Sequence, residues 1–168
     1  MYYHTYMSPL GEIMITANDE GLTALAFQQG NAAITPASEF KKNSALFNET
    51  CQQLDEYFAG NRAVFTMPLA PKGTEFQKTV WHALTTITLG QTQSYGWLAK
   101  KINNDKAVRA VGTANGANPI ALIIPCHRVI GANGKLTGYA GGLSLKAQLL
   151  RHEGASFIDN SQQELAFS

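Results

Sequence analysis

Cysteine is scarce in this sequence, and its spacing excludes two classes of protein. Cys51 and Cys126 are the only two cysteines among 168 residues, and no CxxC pair occurs. Two isolated cysteines form neither a disulfide framework nor a zinc finger, and they fit a reducing compartment. His4, His82 and His152 show no metal-ligand spacing relative to the cysteines. We therefore expect no metal and no other cofactor.

Long apolar runs are also missing. No stretch approaches the roughly 20 residues that span a bilayer, and the start lacks the basic and apolar segments of a signal peptide. Hydrophobic residues make up 45% of the chain and charged residues 15%, as in ordinary globular proteins. We therefore expect a cytoplasmic protein without membrane contact, long enough for one domain or two small ones.

The net charge is small but unevenly distributed. Residues 1–73 carry four Lys/Arg and seven Asp/Glu, a balance of −3, whereas residues 74–168 carry nine and five, a balance of +4. This asymmetry indicates that the second half binds an anion, with nucleic acid as the leading candidate. Because the excess is small, the predicted affinity is modest and sensitive to salt.

The first part of the chain has a strand-then-helix pattern. Residues 2–7, 13–17 and 22–27 are predicted strands, since turn residues separate them. A helix is predicted over about 44–59, with Cys51 on its apolar face and Gly60 as its stop. Residues 67–73 contain two prolines and a glycine and are predicted to form a linker. We expect an N-terminal domain over residues 1–72 and a C-terminal domain over residues 73–168.

The second part of the chain is predicted to be helical. Thr74 and Gln77 form a capping-box pattern for a helix closed by Gly90. A second helix begins near Ser94, and a short turn leads to a third helix at about 106–115. Two short helices joined by a tight turn are typical of a helix-turn-helix.

The third predicted helix carries one long cation among small residues, in the segment Arg109-Ala110-Val111-Gly112-Thr113-Ala114-Asn115-Gly116. A helix that reads bases in the major groove usually carries several long hydrogen-bonding side chains. Small side chains fit either close approach to a narrow groove without sequence selection or tight packing against another helix. Arg109 favours the first interpretation.

A cysteine and a histidine are adjacent in Ile124-Pro125-Cys126-His127-Arg128-Val129. Residues 120–124 are apolar and rich in β-branched side chains, which predicts a buried strand that ends at Pro125 with Cys126 at its rim. A thiol is a strong nucleophile as the thiolate, and a neighbouring imidazole favours that form. The alternative is a structural cysteine beside a surface histidine, and this hexapeptide alone leaves it open.

An ordered set of motifs resembles the O6-alkylguanine-DNA alkyltransferases (methylated-DNA–protein-cysteine methyltransferases). The motifs are Gly73-Thr74-x-Phe76-Gln77-x-x-Val80-Trp81, Ser94-Tyr95, Arg109-Ala110-Val111-Gly112, Asn118-Pro119, the hexapeptide around Cys126, Gly138-Tyr139-Ala140-Gly141-Gly142, and residues 146–154. The resemblance covers residues 73–154. Residues 1–72 share with the family only their length and their strand-then-helix character.

The resemblance implies an α+β fold, with a small ribonuclease-H-like N-terminal domain and a helical C-terminal domain that contains a winged helix-turn-helix motif. It implies a monomer whose recognition helix enters the minor groove of double-stranded DNA without sequence preference. O6-alkylguanine, and on the same chemistry O4-alkylthymine, would be rotated out of the stack. The alkyl group would pass irreversibly to Cys126.

The resemblance also assigns residues to roles. Cys126 would attack the alkyl carbon, His127 would accept the thiol proton through a water, Glu153 would hold the imidazole, and Tyr95 would protonate the leaving guanine. In DNA binding, Arg109 would fill the gap left by the flipped base. The other residues implied in DNA binding are Ser94, Ala110, Gly112, Thr113 and Asn115. Residues implied in the substrate pocket and its hinge are Asn118, Pro119, Val129, Tyr139 and Ala140.

Two of these positions depart from the family pattern. Asn115 lies where some members have a larger apolar residue, and Ala140 where some have serine, which leaves the preferred alkyl size open. Three residues could instead have no functional role. Tyr95 would then be a core residue, Glu153 a solvated surface residue and Tyr139 an ordinary aromatic residue of a loop.

Three other functions compete with repair. A module that binds alkylated DNA without repairing it would replace the cysteine, and a cysteine hydrolase would turn over repeatedly and would not need the Arg109 helix. A redox sensor usually has a resolving cysteine, and Cys51, the other cysteine, is predicted to be buried. Alkyl transfer differs from all three, because a thioether has no good leaving group and each protein molecule would act once.

Overall fold

The first part of the chain contains a four-stranded, mainly antiparallel sheet. The computed structural model describes residues 1–161. Its first strands are β1 (Tyr2–Ser8), β2 (Gly11–Ala17) and β3 (Leu22–Phe27), which pair in sequence order as antiparallel neighbours. A two-residue strand, β4 (Lys41–Lys42), adds in parallel to β1 and completes the order β3-β2-β1-β4. The three predicted strands are confirmed.

One helix packs against this sheet. A 3₁₀ turn (Ala45–Phe47) precedes helix α1 (Asn48–Phe58), which buries Leu54 and Tyr57. The predicted stop is confirmed, since the amide of Gly60 donates to the Tyr57 carbonyl and Gly60 adopts a φ of 80°. Such left-handed backbone is easy for glycine and costly for most other residues.

Helix α2 (Glu75–Leu84) opens the second part of the chain. Thr74 and Gln77 form the predicted capping box, in which each side chain bonds the other's backbone amide. The predicted end at Gly90 is wrong, because α2 stops at Leu84. The hydroxyls of Thr85 and Thr86 donate to the carbonyls three residues earlier, and such local bonds compete with helix continuation.

The helix-turn-helix consists of α3 (Tyr95–Lys101) and α4 (Val108–Gly116). Ser94 caps α3 by accepting the Trp97 amide at 3.0 Å. The Trp81 indole of α2 donates to the Ala114 carbonyl at 2.9 Å and holds α4 in place. The exposed residues of α4 include Arg109, Ala110 and Thr113.

The buried strand predicted over residues 120–124 is wrong. The segment forms tight turns in which the Ile124 amide donates to the Ile120 carbonyl and Leu122 adopts a φ of 71°. The Asn118 side chain bridges the turn, accepting from the Ile120 amide and donating to the Ile124 carbonyl. The segment is buried as predicted, but its apolar residues reflect burial and not extended backbone.

The two parts of the chain share one hydrophobic core. A parallel bridge joins Ile120 to Leu25 at the edge of the first sheet, and two short strands, β5 (Gln93–Ser94) and β6 (Val129–Ile130), pair in parallel. Helix α5 (Leu143–His152) adds Leu145 and Leu149 to the core. Within residues 1–161, no helix is long and apolar enough to cross a membrane.

Candidate active site

Cys126 begins a 3₁₀ turn (Cys126–Arg128) that directly follows the Asn118-bridged segment. Only 7% of the residue is exposed. Burial raises the pKa of the Cys126 thiol, while a hydrogen bond from Asn118 and the positive charge of Lys146 oppose that rise. The thiol is therefore protonated at neutral pH, and a nearby base is needed to make it a nucleophile.

His127 and Glu153 form a buried, hydrogen-bonded imidazole–carboxylate pair. His127 Nε2 donates to Glu153 Oε2 at 2.7 Å, and both residues are buried. Because Nε2 carries this hydrogen, Nδ1 of the neutral ring is left with its lone pair, and Nδ1 is buried without a protein partner in residues 1–161. This is the tautomer that a proton acceptor requires.

Arg128 is the third member of this buried cluster and contributes to its charge state. Arg128 Nε donates to Glu153 Oε1 at 2.8 Å and Nη2 to Oε2 at 3.2 Å, while Nη1 donates to the Ile87 carbonyl. Burial opposes ionisation of Glu153, but His127 and Arg128 outweigh it and hold the pKa of Glu153 well below its usual range. Burial lowers the pKa of His127 despite Glu153. At neutral pH the cluster therefore contains an ionised Glu153, a charged Arg128 and a neutral His127.

Lys146 is a functional candidate that the sequence analysis missed. It is fully buried on α5, and its Nζ donates to the Val129 carbonyl at 2.7 Å, to the Thr137 carbonyl and to Thr137 Oγ1. Burial lowers its pKa to about 8. A signal was present in the sequence, because Lys146 precedes Leu149 and Leu150 by three and four residues and so shares their buried face.

Tyr95 joins the same hydrogen-bond chain. Its hydroxyl and Thr137 Oγ1 are 2.6 Å apart, and Lys146 donates to that Thr137 oxygen. Burial raises the pKa of Tyr95, so the phenol stays protonated at neutral pH. Its ring lies against Gly112 of α4, where an added Cβ would sit 3.6 Å from the ring. Gly112 therefore belongs to the packing between α3 and α4.

A pocket opens beside Cys126. Tyr139, Ala140, Asn115 and Asn118 are among its lining residues, and Phe27 and Ala32 come from the first part of the chain. The Tyr139 hydroxyl and Asn115 Oδ1 are buried and have no hydrogen-bond partner in the described part of the chain. These two orphaned polar atoms beside a thiol are suited to a ligand that carries its own hydrogen-bonding groups.

The structure places one predicted DNA contact elsewhere. Asn115 is 5% exposed and lines the pocket instead of the outer face of α4, because it lies two residues after Thr113 and so points to another side of the helix. Arg109, Ala110 and Thr113 share the exposed face, although the Thr113 hydroxyl is engaged with the Arg109 carbonyl at 3.2 Å.

The backbone carbonyls near the pocket already have protein partners. The Val129 carbonyl accepts from Lys146, and the Ala140 carbonyl accepts from the Asn31 amide at 3.0 Å. Each carbonyl keeps a second lone pair for a ligand. Pro119 ties the segment after α4 to β3, because its carbonyl accepts from the Leu25 amide at 3.0 Å.

The fold and the site together define a cysteine-dependent group-transfer protein with a DNA-binding helix-turn-helix. Residues 1–71 match the ribonuclease-like domain, and residues 75–155 the DNA-binding domain, of 6-O-methylguanine DNA methyltransferase. The chain belongs to the 6-O-methylguanine DNA methyltransferase family. The ribonuclease-like and DNA-binding parts of the predicted fold are thereby confirmed.

Curated relatives and solved structures agree with this family. The methylated-DNA–protein-cysteine methyltransferase of Methanosarcina acetivorans is 52% identical over 92% of this chain and 99% of its own length. The enzyme of the same name from Haemophilus influenzae is 41% identical over 97% and 92%. The Mycobacterium tuberculosis OGT in complex with DNA is 44% identical, with a TM-score of 0.85 over 92% of this chain and 93% of that one.

Proposed function

We propose that this protein repairs O6-alkylguanine in double-stranded DNA by transferring the alkyl group to Cys126. One observation carries the residue assignment. The buried thiol of Cys126 lies in a pocket beside a buried, neutral imidazole whose Nε2 is bonded to an ionised carboxylate. The exposed face of the helix-turn-helix supports a DNA duplex as the carrier of the substrate.

The reaction balances with the residues present. The thiol proton of Cys126 passes to His127 Nδ1 through a water, and Glu153 stabilises the resulting imidazolium. The thiolate sulfur forms a bond to the alkyl carbon, and the bond from that carbon to guanine O6 breaks. The leaving guanine takes a proton from the Tyr95 hydroxyl, and the Tyr95 phenolate is reprotonated from the Lys146 ammonium through Thr137 Oγ1. The His127 imidazolium and the neutral Lys146 then return to their resting states by exchange with solvent. The thioether product does not regenerate the thiol.

The pocket and DNA-facing residues have distinct proposed tasks. Tyr139 walls the pocket, Asn118 connects α4 to the Cys126 segment, and backbone groups near Val129 and Ala140 bind the guanine edges. Arg109, with Ala110 and Thr113 on the same exposed face, enters the minor groove without sequence preference. Asn115 faces the substrate and not the duplex, and Ser94 positions α3.

We further propose a domain boundary, a cellular compartment, an oligomeric state and a second substrate for the protein. The domain boundary lies at residues 72–73, between the two family matches. Both cysteines of the described chain are free, which suits action in the reducing cytoplasm. The protein acts as a monomer, with O4-alkylthymine as a second substrate.

Stoichiometry tests the proposed function. We expect a duplex that contains O6-methylguanine to add one methyl group per protein, with no further transfer in an excess of DNA, as measured by intact mass spectrometry. The unmodified duplex is the control. Repeated turnover would support a hydrolase instead, and tight binding without any mass change would support a non-repairing module.

Arg109→Ala is expected to slow repair in duplex DNA by more than about tenfold, roughly 1.4 kcal/mol of barrier. The physical reason is that an inserted side chain offsets part of the unstacking cost of a flipped base, which is a few kcal/mol. A single strand has no stack to open, so its repair should change little. Single-turnover rates at saturating protein on both substrates measure the difference.

Lys106→Ala is the matched control for Arg109→Ala. Lys106 and Arg109 line the same surface groove, and a lysine there that contacts phosphate should affect duplex and single strand alike and reduce the salt dependence of binding. Equal losses on both substrates for Arg109→Ala would make Arg109 a backbone contact.

A further inference from the structure

A tyrosine from the ribonuclease-like domain reaches the His127–Glu153 pair. Tyr57 lies in the last turns of α1 and is 1% exposed. Its hydroxyl donates to Glu153 Oε2 at 2.6 Å, across 96 positions of sequence. Short hydrogen bonds to an ionised acceptor are among the strongest in proteins.

The two oxygens of Glu153 have different partners. Oε1 accepts from Arg128 Nε at 2.8 Å. Oε2 accepts from both Tyr57 and His127, with a longer 3.2 Å bond from Arg128 Nη2. Tyr57 and His127 therefore share one oxygen, and the position of that oxygen determines whether His127 Nε2 has an acceptor.

Packing holds the Tyr57 hydroxyl in this place. The ring contacts the rings of Phe58, Phe65 and His152 with centroid distances of 4.9 to 5.6 Å. The Tyr57 carbonyl accepts from His152 Nε2 at 2.8 Å, and His152 directly precedes Glu153 in the chain. Burial, followed by the charge of Glu153, raises the pKa of Tyr57, so the hydroxyl remains a donor.

We propose that Tyr57 is a positioning residue for alkyl transfer. Through its bond to Glu153, the ribonuclease-like domain holds the carboxylate that orients His127 in the other domain. Arg128 already makes two bonds to this carboxylate, a short one to Oε1 and a long one of 3.2 Å from Nη2 to Oε2. Without the Tyr57 hydroxyl, the long bond is free to shorten toward the symmetric geometry that a guanidinium and a carboxylate prefer, which moves Oε2 away from His127 Nε2. The bond from His127 Nε2 is then weakened, and the imidazolium that forms during thiol deprotonation is less stable. The effect on rate rests on the proposed function, whereas the change at His127 does not.

Tyr57→Phe tests the proposal, because it removes one oxygen and keeps the ring packing. At neutral pH we expect the single-turnover rate of transfer from O6-methylguanine duplex to fall about tenfold, as for the loss of one hydrogen bond to a buried charge. Binding of the same duplex should be unchanged. Part of the lost rate should return as pH rises toward the pKa of the Cys126 thiol, since the thiolate then forms without help from His127.

Tyr6→Phe is the matched control. The Tyr6 hydroxyl donates to Asp55 Oδ1 at 2.5 Å, so this variant also removes a tyrosine–carboxylate bond on α1 but leaves Glu153 untouched. Its rate and pH profile should match those of the wild type. A loss that is equal in both variants, or equal at every pH in Tyr57→Phe, would overturn the proposal and leave Tyr57 a purely structural residue.

A spectroscopic measurement separates this proposal from the repair function itself. In DNA-free protein, the His127 Nε2 proton should give a downfield NMR resonance in the wild type and in Tyr6→Phe, and it should move upfield or be lost by exchange in Tyr57→Phe. An unchanged resonance in Tyr57→Phe would overturn the proposal even if the rate fell. If the wild type transferred no methyl group but the His127 resonance still moved in Tyr57→Phe, the repair function would be contradicted and the role of Tyr57 at His127 would stand.

Discussion

Cys126→Ala is expected to abolish alkyl transfer while the protein still binds duplex DNA. The substitution removes the only atom in the pocket that can form the thioether, and the small, buried side chain does not contribute to the exposed face of α4. Intact mass spectrometry after mixing with an O6-methylguanine duplex should show no added methyl group. Electrophoretic mobility or fluorescence anisotropy on the same duplex should show unchanged affinity.

Cys51→Ala is the control for this experiment. Cys51 is the other free cysteine of the described chain, and burial, followed by the charge of Asp55, raises the pKa of its thiol. It lies on α1, away from the pocket, so the variant should accept one methyl group at the wild-type rate. A methyl group mapped to Cys51, or residual transfer by Cys126→Ala, would contradict the assignment of the nucleophile.

Glu153→Gln is expected to slow alkyl transfer by more than tenfold at neutral pH, or roughly 1.4 kcal/mol or more of barrier. The amide carries no charge to stabilise a protonated His127. The variant also leaves Arg128 buried without its ion-pair partner, which costs about 3 kcal/mol or more of unfolding free energy. Single-turnover rates well below the unfolding temperature separate the catalytic loss from the loss of stability, and DNA affinity should change little.

The unfolding free energy at acidic pH provides a second measurement on the same variant. The pKa of Glu153 is held below its unfolded value of about 4.3. Its contribution to stability is therefore complete above that pH and is lost as the pH falls toward the folded pKa. In a plot of unfolding free energy against pH, Glu153→Gln should therefore reduce the slope between these two pKa values. Glu56→Gln, which changes a partly exposed carboxylate bonded to Arg62, should leave that slope unchanged. An unaltered rate and an unaltered pH dependence of stability would contradict the proposed role of Glu153 in stabilising a protonated His127.

Local patterns predicted most of the secondary structure because they act within a few residues. The strands of the first sheet follow from alternation and turn residues, and the start of α2 from the reciprocal bonds of Thr74 and Gln77. The error at residues 120–124 has the same origin. Burial and β-branching favour a strand in any local window, and only the contacts of Asn118 across the turn show that the backbone is not extended.

The sequence predicted those parts of the candidate site that lie close together in the chain. It did not predict the parts that the fold brings together from distant positions. Cys126 and His127 are adjacent in the sequence. Glu153 is an acidic residue at the C-terminal end of α5, where the helix dipole disfavours a negative charge, and this position by itself indicates a specific partner. Lys146 could have been found from its position on the buried face of α5. Tyr57 carried no such signal, because a tyrosine on the apolar face of a helix is most often an ordinary core residue.

The sequence by itself determined the family, and it predicted the nucleophile and the single-use chemistry, since these depend on residue types in a fixed local order. The tertiary structure alone decided that Cys126 is a buried, protonated thiol, that His127 and Arg128 keep Glu153 ionised, and that Asn115 faces the pocket. It alone joined Tyr57 to Glu153. The physical reason is that burial and the approach of charges distant in sequence set the pKa and orientation of each group, and both exist only once the two domains share a core.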